Sequence, residues 1–357
     1  MPALKAQIGA DEAQIGLILL CFGLAALVGL FSAPWLIKRM GSRKVVLLAT
    51  ITFLVGLPFC GLCTSILTLG AMGIIVGLGE GWADVAVNTQ GIQLEHRIKK
   101  RCMAGLHACY SLGGVLGSLG GSLFAALALN TWVNFSAIAI VYALLLPFAA
   151  KDLADDFTPT KDTPHKEQKS RLPLFVWLCG CIALCSYAAE GSVAEWGSLL
   201  LYIAKGATEQ TAALAFGVFS ITMVVSRLFG DWLREVLGDF PLTFIGGCMA
   251  MIGIMTAILS PWPILCLGGY ILMGLGLGPI VPILFSRAGD IPNVSPSAAS
   301  AIISVMGSSG VLFFPPTLGG LAKNFGLETA MLVIFALCVA ITFGSCLFRQ
   351  KNASSIQ

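Results

Sequence analysis

Glu80, Asp84 and Asn88 recur at every fourth position of "VGLGEGWADVAVNTQG" (Val76–Gly91), inside a stretch otherwise apolar enough to dissolve in lipid. Spacings of four and eight place the two carboxyls and the amide on one stripe of a helix. An ionised carboxylate at the centre of a bilayer costs at least ~2.5–3.5 kcal/mol on insertion scales. Desolvation favours the neutral acid and a nearby cation favours the ionised one. A carboxyl held between those states can load a proton on one side of a membrane and release it on the other, which is the chemistry of proton-coupled transport. The other reading is structural: the same groups bond to neighbouring helices or to water and hold a bundle together. Gly73, Gly77 and Gly81 form a second stripe, about 60° around the helix, that admits a close neighbour.

Further residues could share that chemistry. His107 and Tyr110 stand on the next apolar segment, near the depths of Asn88 and Asp84. A histidine titrates close to neutral pH, so His107 is a candidate proton partner of Asp84 or a core histidine bonded to a carbonyl. Tyr110 is a candidate hydrogen-bond donor in a cavity. Glu190, Glu195 and Trp196 fall toward the outer end of the segment 173–200, which Gly191 is expected to interrupt. Acids beside an indole suit a sugar-like ligand, and Trp196 also suits an interfacial belt. Arg227 and Asp231, four residues apart, are either an ordinary helix pair or part of a cytoplasmic gate. Pro315 and Pro316 mark an expected bending point within a span.

Several classes are excluded or left without support. No GxxxxGK[ST] phosphate loop and no HExxH metal motif occurs, and the three histidines are scattered. Cys60 and Cys63 form the one CxxC among twelve cysteines, and packing is the expected role of cysteine in apolar helices. No metal or cofactor is expected, and the chain is read as no enzyme.

The elements that position these residues follow from composition. Of 357 residues, 57% are hydrophobic and 11% charged, with a mean hydropathy of +0.89 and a formal net charge of +3. A soluble domain carries about twice that share of charge, and the small excess of positive charge offers nothing to nucleic acid. A span needs about 20 apolar residues. Eleven are expected, at 14–37, 45–65, 67–93, 102–128, 131–150, 173–200, 210–233, 241–260, 262–286, 297–321 and 327–348. All must be helical, because lipid satisfies no backbone group. Lys38, Arg39, Arg43 and Lys44, the run Glu95–Arg101 and the polar segment 151–172 fall on one side, as do Arg234, Arg287, Arg349 and Lys351. That side is read as cytoplasmic, which puts the C-terminus inside and the protein in the inner membrane.

The chain also repeats itself. At an offset of 197 residues Trp35 falls on Trp232, Gly41 on Gly238, "GLGEG" (Gly77–Gly81) on "GLGLG" (Gly274–Gly278) and Ser111 on Ser308. An offset spanning six segments makes the repeat parallel. The expected organisation is an N-terminal half (1–150, five helices), a cytoplasmic linker (151–172), a C-terminal half (173–350, six helices) and a tail (351–357). By the offset, the helix at 173–200 has its partner before Met1, so a first helix is expected to be missing, through a start-site error or a real loss.

"PWLIKRMGSRKV" (Pro34–Val45) resembles the cytoplasmic signature loop of major facilitator transporters. Arg39, Gly41, Arg43 and Lys44 fit that pattern, while Pro34 replaces a glycine and Lys38 the aspartate that helps latch the inner gate. The run from Gly77 through Gly121 is similar to the branch that includes L-fucose permease and YbjJ-type inner-membrane relatives. The resemblance implies two six-helix halves that rock about a central cavity, a small solute as partner and Asp84 as the proton-coupling acid. The expected activity is secondary transport of a sugar-like solute by proton symport, by a monomer. Proton-antiport export of drugs or metabolites, and a non-transporting or degenerate membrane protein, are the alternatives. Exporters of that kind carry a glycine-proline signature in helix five, and here Gly113, Gly114, Gly117, Gly120 and Gly121 occur without a proline.

Overall fold

The computed structural model describes residues 2–127, 129–156 and 172–349. Those residues form helices and short connections. In order they are α1 (Pro2–Ile8), α2 (Glu12–Met40), α3 (Ser42–Leu62), α4 (Ile66–Ile98), α5 (Met103–Ala126), α6 (Thr131–Asp152), α7 (Leu174–Leu199), α8 (Glu209–Leu237), α9 (Asp239–Leu259), α10 (Pro263–Leu277), α11 (Ile280–Gly289), α12 (Pro296–Phe325) and α13 (Leu327–Gly344). A π-helical turn, Leu200–Ala204, prolongs α7.

Among the described residues, ten spans are long and apolar enough to cross a membrane, with α10 and α11 counted as one. The eleventh expected segment is folded as α5. Several helices outrun the apolar stretches that announced them. Helix α4 continues to Ile98, because only at Lys99, with φ of 52°, does the backbone turn. Helix α7 does not break at Gly191, which lies against Val311. The interruption falls instead at Gly278–Pro279, inside the segment read as 262–286. A proline has no N–H to continue the helical ladder.

The sequence repeat is a structural repeat. Helices α2 and α8 have 29 residues each, and their bounds differ by 209 − 12 = 197 and 237 − 40 = 197. Helices α3 and α9, 21 residues each, keep the same offset. Each pair meets at a glycine, Gly41 (φ 84°, ψ 152°) and Gly238 (φ 83°, ψ 167°), in a region essentially closed to side-chain-bearing residues. Packing repeats too. Helix α4 lies on α2 and α3 as α10 lies on α8 and α9, and α3 meets α6 as α9 meets α13. A Cβ on Gly77 would collide with the Phe22 carbonyl, and one on Gly274 with the equivalent Phe219 carbonyl.

The helices group into two compact units. One comprises Met1–Ile98, Gly113–Arg171 and Val294–Val305; the other comprises Lys99–Leu112, Leu172–Asn293 and Met306–Gln357. In the first, Leu30, Ala33, Ile37, Val45, Val85, Ala86 and Ala301 form one buried apolar cluster. Leu4, Ile18, Cys60, Cys63, Leu69 and Val76 form another. The CxxC cysteines are therefore core residues.

Candidate functional site

In the first unit the acidic stripe stands at the middle of α4. Its 33 residues centre on Trp82, so Glu80 and Asp84 lie about 3 Å above and below the midpoint at 1.5 Å per residue. The stripe is held in place from behind. Gly77 and Gly81 press onto the α2 backbone near Phe22 and Ala26, and Trp82 Nε1 donates to Ser32 Oγ on α2 at 2.9 Å. Asn88 is buried and its Nδ2 donates to Asp84 Oδ1 and to the Asp84 carbonyl, both at 2.9 Å. Ser304 of α12, 1% exposed, faces Asp84, but its hydroxyl completes no hydrogen bond of good geometry. Among the described residues no lysine, arginine or histidine makes an ion pair with Glu80 or Asp84. The two acids thus stand one turn apart with neutral company.

The second unit holds a polar cluster of the opposite kind. Arg227 on α8 is 6% exposed. Its Nη1 donates to Ser111 Oγ on α5 (2.7 Å) and its Nε to the Gly278 carbonyl (3.2 Å), and its Nη2 lies 3.7 Å from Glu190 Oε2 on α7. The α10–α11 interruption explains the second contact, because Gly278 sits where the chain leaves one helix for the next. Ser111 passes the contact on by donating to the His107 carbonyl at 3.0 Å. The His107 ring lies tilted by 36° against Phe285 with ring centroids 5.5 Å apart, and its Nε2 is buried with no hydrogen-bond partner among the described residues.

This arrangement revises two sequence readings. Arg227 is ten residues from the end of α8, roughly 15 Å at helical rise, because the helix continues to Leu237. It turns to Glu190 and Ser111. Asp231 instead accepts from the backbone N–H groups of Ala104 (3.1 Å) and Gly105 (2.8 Å), capping the start of α5. Glu190 is central rather than outer, since the π-turn extends its helix through Ala204.

The remaining candidates are spread out. Tyr110 is 74% exposed, Glu195 is exposed, and Trp196 is half-buried with its ring against Gly319. At the end of α2, Arg39 stacks over Trp35 at 4.1 Å, Gly41 makes the turn, and Arg43 begins α3 half-buried. Helix α12 runs through Pro315 and Pro316, whose side chains lie outside the described residues. Sequence reasoning missed Asp156. It accepts from the Ser42 N–H and from Gln93 Nε2, each at 2.7 Å, and so caps α3 beside the signature loop. It missed Ser304 as well. No residue type marks either position; only the folded chain brings them to their partners.

The Major Facilitator Superfamily model matches residues 1–315. The chain belongs to the major facilitator superfamily. It is 30% identical over 347 residues to an uncharacterized MFS-type transporter of Yersinia pestis, covering 96% of this chain and 88% of that protein. It is similar in structure to the E. coli fucose:proton symporter FucP, with a TM-score of 0.77, 16% identity and coverage of 98% and 94% of the two chains. It is also similar to the proton:xylose symporter XylE, with a TM-score of 0.74, 16% identity and coverage of 96% and 89%. As a major facilitator protein the chain is a multi-pass membrane protein of a transporter family whose members carry small-molecule solutes. At these identities the two solved structures speak for the fold.

Proposed function

We propose that this major facilitator protein moves a small polar, sugar-like solute across the cytoplasmic membrane by proton symport, with Asp84 as the proton site. The observation that carries the reading is the company Asp84 keeps: an amide, a hydroxyl and a second acid at mid-span, with no cation paired to it among the described residues. A negative charge there has no compensating partner among the described residues, and a proton taken from water removes the cost. Glu80, one turn away, is placed to exchange that proton, and solved transporters of this fold include symporters of fucose and xylose with protons. In the second unit, Arg227, Glu190 and Ser111 supply charged and hydroxyl groups suited to sugar hydroxyls, with His107, Tyr110, Glu195 and Trp196 further along the pathway. The halves 1–150 and 173–350 are the bodies that rock. Arg39, Gly41, Arg43 and Asp231 act at the cytoplasmic gate, and Pro315 and Pro316 give α12 its bending point. The C-terminus is cytoplasmic and the working unit is a monomer.

The test is proton uptake into proteoliposomes when sugars are added down a gradient, comparing wild type with Asp84→Asn. The expected result is solute-driven alkalinisation outside, lost in the variant while solute binding remains. Equal solute movement by both proteins, without protons, would sink the assignment.

A further inference from the structure

At one end of the second unit, where α8, α11 and α13 stop and α9 begins, there is a cavity of about 290 Å³. Gly238, Asp239, Phe240, Arg287, Phe348 and Arg349 line it. Among the described residues its charges do not balance. Asp239 Oδ1 takes Arg234 Nε, and Asp239 Oδ2 lies 3.4 Å from Arg287 Nε. One carboxylate therefore serves two guanidinium groups. Arg349 adds a third, stacked over Phe240 at 5.6 Å, while Arg287 stacks over Phe348 at 5.8 Å. Arg234 is 6% exposed, and its Nη2 is buried with no hydrogen-bond partner. Glu235 is exposed, lies about 100° around α8 from Arg234 and makes no ion pair among the described residues. The start of α9 adds the partial positive charge of a helix N-terminus. Beside these cations runs an apolar strip. Phe240 and Phe244 lie with ring centroids 5.8 Å apart, and Phe244 and Leu237 are 42% and 41% exposed.

Guanidinium groups in excess of carboxylate match a phosphate, which accepts paired N–H bonds in their fork geometry. The cavity is close to the lower limit of small-ligand pockets, ~300 Å³. Helix ends meet the membrane surface, where basic pockets between spans hold anionic headgroups. We propose that this pocket binds the phosphate of an anionic phospholipid, whose acyl chains lie along Phe240, Phe244 and Leu237. Free phosphate offers the same headgroup chemistry but makes no use of the apolar strip. The inference stands apart from the transport reading, since it requires nothing of Asp84 or of the solute.

The test is binding of short-chain phosphatidylglycerol, short-chain phosphatidylcholine and inorganic phosphate to the detergent-solubilised full chain, by microscale thermophoresis. Phosphatidylglycerol should bind and phosphatidylcholine should not. Arg287→Gln and Arg349→Gln should each weaken phosphatidylglycerol roughly tenfold, the value of one charge-assisted contact. Arg349 is exposed and follows the short 3-10 turn Ser345–Phe348 after α13, so its variant keeps the test open if Arg287→Gln folds poorly. Equal binding of the two lipids, or unchanged affinity in both variants, overturns the site. Inorganic phosphate binding as tightly as phosphatidylglycerol, and weakened by the same variants, keeps the phosphate site and overturns the lipid as its source.

Discussion

Asp84 and Arg227 pose opposite problems. Among the described residues Asp84 has hydrogen bonds but no countercharge; Arg227 has both. The variant Asp84→Asn retains an oxygen for Asn88 Nδ2, so it should fold and unfold like wild type while losing coupling. A shifted melting temperature would mean that the carboxylate is structural. For Arg227, removing the countercharge strands a buried cation. Breaking a buried pair costs about 3–5 kcal/mol, and Glu190→Gln belongs at the lower end because Glu190 is about one-third open. Replacing both members, Arg227→Met with Glu190→Gln, should restore most of the lost stability and none of the transport. Thermal unfolding in detergent reads both effects. Wild-type stability in Glu190→Gln alone would show that the 3.7 Å pair contributes nothing.

Helices of this protein are set against one another by glycine, and the repeat makes that testable twice. Gly77→Val and Gly274→Val force a side chain into the Phe22 and Phe219 carbonyls, an overpacking that costs typically about 1–3 kcal/mol. Both should lower the melting temperature, because each meets the equivalent carbonyl, and Gly274→Val the more, because Thr222 Oγ1 crowds the same place where Gly77 has only Ala25. Gly113 on α5 meets nothing within 4 Å, so Gly113→Ala should be neutral or gain up to ~1 kcal/mol from helix propensity. At the helix junctions, Gly41→Ala and Gly238→Ala should each cost about 1–3 kcal/mol of backbone strain. If Gly113→Ala destabilised as much as Gly77→Val, close packing would not be what the glycines provide.

At the scale of the whole chain, the distribution of lysine and arginine predicts a topology that cysteine labelling can check. In a background with the twelve native cysteines replaced, cysteine at Glu235 should react with a membrane-impermeant maleimide only from the cytoplasmic side. Cysteine at Gly206, in the turn between α7 and α8, should react only from the other side. The exchanged pattern, Glu235 reacting from outside and Gly206 from inside, would overturn the orientation and, with it, the cytoplasmic placement of Asp231, Arg39 and the phosphate pocket.

Much of this protein is legible in one dimension. Apolar runs longer than a bilayer can only be helices there, so the positions of the spans and the 197-residue repeat follow from hydropathy and spacing, while ten rather than eleven of the described helices are long and apolar enough to cross. The acidic stripe is legible for the same reason: fourfold spacing on a helix fixes a face whatever the neighbours are. The glycine stripe foretold a close contact but not that α2 provides it. What the sequence leaves open are contacts between residues far apart in the chain. Leu30 and Arg227 are equivalent in the repeat, yet one packs in an apolar cluster and the other binds Glu190, Ser111 and the Gly278 carbonyl. The interruption at Gly278–Pro279 had a sequence signal in its proline; its use as an acceptor for Arg227 had none. Asp231 as a helix cap, Asp156 on Ser42 and Ser304 facing Asp84 were likewise decided by tertiary structure. Hydropathy and periodicity report each helix's own faces, while the partner of a buried charge is set by which distant helix the packing brings against it.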